Sequence, residues 1–320
     1  MYNSRGKWFL AVLFLLLGNS IYAQTLGSSN PNSERENNPY SKYGVGELWN
    51  GNTTALKGMG NITSAFSDPF IINSDNPASY TSLILTTFDG GGIASSRNIT
   101  NASGASYNTG TASLGYINLG VPLGKKAGMA LGLRPYTKCY YALADTVATP
   151  LGGTVRSYAG DGGLSYAYLG GAYKFKGLSI GFNFGYMFGN YRKFTTVADT
   201  FNPHRDYQSQ FARYIRLGGI NWKGGATYEV KSRDSNYTFR VGGTLTLGQN
   251  LNETVSYYKS SSYDLGGTLI NDTVKADSYT DRKGKLKLPT SFSIGVLLSK
   301  TDKWAWGFDY SAINWTNFSS

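Results

Sequence analysis

From Leu178 the chain alternates between two kinds of residue. Leu178, Ile180, Phe182, Phe184, Tyr186 and Phe188 stand against Ser179, Gly181, Asn183, Gly185, Met187 and Gly189. Successive side chains of a strand point to opposite faces, so this stretch offers one environment a greasy surface and the other a nearly bare wall. The split recurs in Tyr237, Phe239, Val241, Gly243, Leu245 and Leu247 against Thr238, Arg240, Gly242, Thr244, Thr246 and Gly248. It returns in Trp304, Trp306, Phe308 and Tyr310 against Ala305, Gly307, Asp309 and Ser311, and in Met129, Leu131 and Leu133 against Ala130, Gly132 and Arg134. Ile220, Trp222, Ala226 and Tyr228 likewise oppose Asn221, Lys223, Gly225, Thr227 and Glu229. The polar face of a soluble sheet would carry many Lys and Glu. Here Gly, Thr, Ser and Asn dominate it, which suits a confined interior. The pattern predicts an all-β protein, a transmembrane antiparallel β-barrel.

Apolar runs separated by turn residues place strands near 83–95, 112–122, 129–140, 160–173, 178–192, 212–230, 237–251, 288–298 and 304–315. Short links at 124–127, 174–177, 231–236 and 299–303 alternate with long ones at 98–110, 138–160, 191–211 and 249–288. Outer-membrane barrels have short periplasmic turns and long external loops, so this asymmetry sets an orientation. Bacterial barrels are even-stranded, and about nine strands is an awkward count. A free edge in lipid leaves backbone groups unsatisfied. The expectation is an N-terminal part of a longer protein; a partner chain completing the sheet is the rival.

The first residues change the picture of location. Arg5 and Lys7 precede an apolar run from Trp8 to Leu17, followed by small residues up to Ala23, the order of a secretory signal peptide over 1–23. Mean hydropathy is −0.28, and no later apolar run is long enough for a spanning helix. Alternation cancels in such averages, so a barrel of the bacterial outer membrane remains. The 41 Gly and 25 Tyr fit curved strands and aromatic girdles. The net charge of +11 is dispersed through turns and loops, which points to lipid phosphates and lipopolysaccharide at the membrane rims rather than to nucleic acid. Cys139 is the single cysteine, so no internal disulfide forms.

Residues 24–82 do not alternate. Gln24 to Asn38 is polar, and the apolar remainder is too long for an idle linker. The economical place for it is inside the lumen, as a plug ahead of a barrel over 83–320. Its Gly58, Gly60, Asn76, Pro77 and Ala78 read either as turns that need special backbone angles or as a hatch that moves when ligand binds. The inward-phase charges Arg134, Lys223, Glu229, Arg240 and Asp309 read either as paired braces or, for the basic ones, as holders of a ligand carboxylate.

Three blocks carry a family resemblance. They are the Gly-Met-Gly segment running to Ala65, Asn76-Pro77-Ala78-Ser79-Tyr80 ahead of the first strand, and the late run Leu288-Pro289-Thr290-Ser291-Phe292-Ser293-Ile294-Gly295 leading to Trp304 through Phe318. In this order they resemble the FadL family of outer-membrane transport proteins for long-chain fatty acids and other hydrophobic compounds. The resemblance implies a fourteen-stranded type of barrel with a luminal hatch, about five further strands, and lateral exit of a hydrophobic ligand into the membrane. Asn38-Pro39-Tyr40-Ser41-Lys42-Tyr43-Gly44 and the Asn- and Tyr-rich loops look like a Bacteroidota branch. Some barrels of this type there serve in secretion or assembly complexes.

Catalysis is not expected. His204 is the sole histidine, with no positioned nucleophile, and no His and Cys cluster suggests a metal or cofactor. Asp145-Thr146-Val147 and Asp272-Thr273-Val274 resemble acceptors for O-glycosylation in Bacteroidota, which makes Thr146 and Thr273 candidates. The functional expectation is passive uptake of hydrophobic small molecules through a plugged barrel. The alternative is a non-transporting subunit or scaffold of a larger outer-membrane secretion or assembly complex, with other subunits as partners.

Overall fold

The computed structural model describes residues 37–100, 104, 106–149, 152–199, 208–234, 236–265, 268–273, 278–301 and 303–319. The proposed leader and His204 lie outside them. A short strand β1 (Glu47–Leu48) and helix α1 (Thr54–Gly58) belong to the plug, which closes with a 3-10 turn at Pro77–Ser82. The wall follows as β2 (Thr87–Thr100), β3 (Ser106–Pro122), β4 (Ala127–Thr149), β5 (Gly152–Phe175), β6 (Leu178–Asp199) and β7 (Gln208–Lys231). It continues through β8 (Tyr237–Thr246), β9 (Asn250–Leu265), β10 (Thr268–Thr273), β11 (Tyr279–Lys287), β12 (Thr290–Lys300) and β13 (Trp304–Asn314).

All neighbours pair antiparallel, in the order β13-β12-β8-β7-β6-β5-β4-β3-β2. β7 is long enough to pair with β8 along its second half and with β9 along its first, and β9 in turn pairs with β11. Thus β8 and β9 share one position in the wall, β11 and β12 the next, and the described residues make nine positions, as the alternation predicts. The joints are stitched by Leu288 N–H donating to the Gln249 carbonyl at 2.7 Å and Gly248 N–H to Thr290 Oγ1 at 2.9 Å.

The two faces follow the sequence phase. Phe184 on β6 is 51 % exposed and Asn183 beside it 1 %. Among the described residues the bulky aliphatics and aromatics of the outward face have no second sheet over them; the inward face lies against the plug. Plug residues touch Tyr116 on β3, Arg134 on β4, Asn183 on β6, Lys223 on β7 and Asp309 on β13. One short segment reaches all of these only because the sheet curls around it. This is the wall of an all-β barrel, seen as a half-cylinder.

Two expectations are corrected, and one feature is added. The links at 98–110, 138–160, 191–211 and 249–288 are largely paired strand: β2 with β3 stays in register to Thr100 and Ser106, β4 with β5 to Thr149 and Gly152, β6 with β7 to Ala198 and Gln208, and β9 pairs with β10 and β11. Alternation fades there because both faces carry Ser, Thr, Tyr and charged residues, not because pairing stops. The first wall strand begins at Thr87 rather than near 83, since Asn76 caps the 3-10 turn that occupies Pro77–Ser82. A register shift between Pro135 and Thr137 also inverts the phase of β4, turning Thr137, Cys139 and Tyr141 inward after Arg134. Proline has no N–H to give a ladder, and a bulge tolerates it.

Candidate functional site: the plug and wall interface

One row of residues explains how the plug fits. Gly128, Ala172, Gly181, Gly225, Thr244, Ser293 and Ser311 are successive register partners across β4, β5, β6, β7, β8, β12 and β13. No side chain in this row exceeds threonine, so it forms a transverse trough in the inner wall. The plug backbone lies in it. A Cβ at Gly128 would strike the Tyr80 carbonyl, one at Gly181 the Pro77–Ala78 peptide, and one at Gly225 the Asn76 side chain. Beside the trough, a Cβ at Gly242 would strike the Ser64 carbonyl.

The plug is knitted internally by two asparagines. Asn73 Nδ2 donates to the carbonyls of Thr63 at 2.7 Å and Phe66 at 3.0 Å, and Asn76 Nδ2 to that of Ser64 at 2.5 Å. Pro77 at the start of the turn has its φ pre-set and no N–H to satisfy. Asn76 and Ala78 are fully buried. Gly58 and Gly60 are exposed, with open space where a Cβ would stand. Of the two, Gly60 has the left-handed φ of +72°. The five hatch candidates therefore split into a buried trough segment and a distant exposed turn.

The inward charges meet the plug in three places. Arg134 Nη2 lies 2.9 Å and Lys223 Nζ 3.1 Å from the same oxygen of Asp75, and Arg134 Nη1 also donates to Asn52 Oδ1 and Ser74 Oγ. Burial opposes the charge on Asp75. The two cations and their hydrogen bonds outweigh it and hold this carboxyl well below the usual carboxylate range. The second meeting is Arg240, whose Nε donates to Glu229 at 2.6 Å while Nη1 donates to the Ser67 carbonyl at 2.8 Å; Lys174 joins Glu229 at 3.2 Å. In the third, Asp309 accepts from the backbone amides of Thr63 and Ser64. The carboxylate that Arg134 and Lys223 grip is thus the chain's own, and an external one would have to displace it.

Neutral contacts fill the gaps. Tyr80 OH donates to Asn183 Oδ1 at 2.9 Å, Asn183 Nδ2 to the Ser74 carbonyl at 3.0 Å, and Tyr191 OH to the Val45 carbonyl at 2.9 Å. Near the long hairpins Arg97 pairs with Glu47 at 2.9 Å. Asp75, Tyr80, Asn183 and Glu47 were not among the sequence candidates. The unbalanced cations of the inner wall were the available signal, because a charge inside a wall calls for an opposite one. Cys139 is buried, its thiol donating to the Ser41 carbonyl at 3.2 Å. Thr146 is exposed near the tip of the β4–β5 hairpin, whereas the side chain of Thr273 lies outside the described residues. Among the described residues no group of three His, Cys, Asp or Glu comes together as a metal site.

A curled antiparallel wall with lipid-ready outer faces and a plug fixed in its lumen defines a plugged β-barrel of the bacterial outer membrane. The family model for BamG matches residues 7–320, and the chain belongs to that family, whose members are related to outer-membrane assembly. No curated protein and no solved structure matches the chain. The FadL resemblance is overturned by this match. Its three blocks are short and rich in Gly, Asn, Pro and aromatics, residues that any plugged barrel needs at turns, troughs and girdles, so they report architecture rather than family.

Proposed function

We propose that the chain is a structural barrel subunit of a larger outer-membrane assembly complex and does not itself conduct cargo. The observation that carries this reading is the grip of Arg134 and Lys223 on Asp75. A gate must release its plug at modest cost, but withdrawing Asp75 would strand two cations in a largely buried part of the wall, an expense approaching the roughly 3–5 kcal/mol of a fully buried pair. The trough adds steric closure, since the plug backbone fills the space the glycines leave. Membership of the BamG family supports the same reading, and the uptake of fatty acids lost its support with the FadL resemblance.

The deciding experiment is capture of the chain at its natural level from membranes dissolved in a mild detergent. Other outer-membrane proteins should come with it at fixed stoichiometry. Recovery of the chain alone, carrying a bound apolar small molecule, would overturn the proposal.

A further inference from the structure

We infer that the outward face of β11 binds the phosphate-bearing headgroup of an outer-leaflet glycolipid. Lys283, Lys285 and Lys287 occupy every second position of this strand, so they share one face at a spacing of about 7 Å. All three are exposed, while Leu286 between them is buried on the opposite face. Among the described residues none of the three has an ion-pair partner.

The neighbours on that face are chosen by register. Lys283, Lys285 and Lys287 stand opposite Thr254, Asn252 and Asn250 on β9, and Thr254 and Asn252 stand opposite Arg216 and Gly218 on β7. The acid there is Asp281, already engaged with Arg216 at 3.2 Å; Glu253 is buried on the plug side. Beyond Arg216, Tyr214 and Tyr258 pack edge to face at 5.9 Å. The face thus combines unopposed ammonium groups, neutral hydrogen-bonding side chains and exposed aromatic rings, the chemistry that receives phosphate and sugar.

Height along the wall selects a lipid. The same face of β7 carries Val230, Tyr228 and Ile220, all exposed and apolar, and on β12 it carries Leu298, Ile294 and Phe292. The row of Lys285, Asn252 and Gly218 lies two residues past Ile220, about 7 Å along the strand, and meets exposed Phe188 on β6; one step further Asn190 and Arg192 replace the apolar run, so this row marks the edge where hydrocarbon yields to headgroups. A docked protein would want an apolar centre ringed by polar groups, whereas here the ammonium groups hold the centre and the aromatic rings lie at its margin. The inference rests on the long hairpins facing the cell exterior.

The test uses the full chain in lipid nanodiscs and purified lipid A as probe. The chain should bind lipid A at least about tenfold more tightly than K283S/K285S/K287S, and phosphatase-treated lipid A should bind no better than it does to that variant. K125S/K126S, in the opposite short turn, should bind like the parent. Millimolar inorganic phosphate should not displace the lipid; displacement would mean a free-phosphate site and overturn the inference. Equal binding by the triple variant would also overturn it, as would loss of an acidic protein partner instead of lipid from that variant. Labelling of Thr146→Cys on intact cells by an impermeant maleimide checks the orientation separately, so a failed orientation and a failed lipid site give different results.

Discussion

Asp309, on the last wall strand, accepts a hydrogen bond at 2.6 Å from the backbone amide of Thr63 in the plug. The Ser64 amide adds a second at 2.7 Å, so one carboxylate clamps two amides that no strand ladder satisfies. Asp309→Ala should lower stability by about 1–3 kcal/mol, read as a lower unfolding temperature on heat-modifiability gels. Proteolysis around residues 59–70 should quicken in step. Asp309→Asn keeps an acceptor oxygen and should lose less.

The Asp75 latch has a defined pH dependence. Its carboxyl titrates below the usual carboxylate range in the folded chain, so its stabilisation is complete above about pH 4. That contribution falls away as pH drops through the depressed native value. Asp75→Asn removes it at every pH and leaves Arg134 and Lys223 without their shared anion. The expected cost at neutral pH is about 3 kcal/mol, and the variant's unfolding temperature should depend less on acid than the parent's.

The trough is tested by single methyl groups. Gly181→Ala or Gly242→Ala forces plug backbone out of its place and should destabilise by about 1–3 kcal/mol, with the plug newly open to protease. Gly224→Ala, on the outward face with no atom within 4 Å, should leave both properties unchanged.

The outward face is tested by charge. Phe184→Arg should cost about 2–4 kcal/mol if the residue sits near the bilayer midplane, measured by reversible unfolding into vesicles. Phe184→Leu should be nearly silent. Equal tolerance of both would contradict the placement of β6.

Much of the wall was legible because lipid and lumen impose opposite demands at every second residue, as on β6. The charges Arg134, Lys223, Glu229, Arg240 and Asp309 announced themselves by falling on the small-residue face. Their partners did not. Asp75 sits in a plug without periodicity, and Asn183 looked like a spare lumen position until Tyr80 and Ser74 were seen to occupy both ends of its amide. The phase inversion after Pro135 was equally hidden, since a bulge adds one residue without altering composition. The extended hairpins escaped notice because Ser, Thr, Tyr and charged residues stand on both of their faces, which removes the contrast on which alternation depends.

The clamp on Thr63 and Ser64 also links distant parts of the chain. These amides are made about 245 residues before the carboxylate that fastens them. The contact closes only when the first and last parts of the described chain meet, so it ties the plug, folded back on itself through Asn73 and Asn76, to the far edge of the wall. Because β2 and β13 are the two edges of the wall, a plug fastened from β3 to β13 acts as a tie across the open side, so that spreading the edges apart means breaking its contacts.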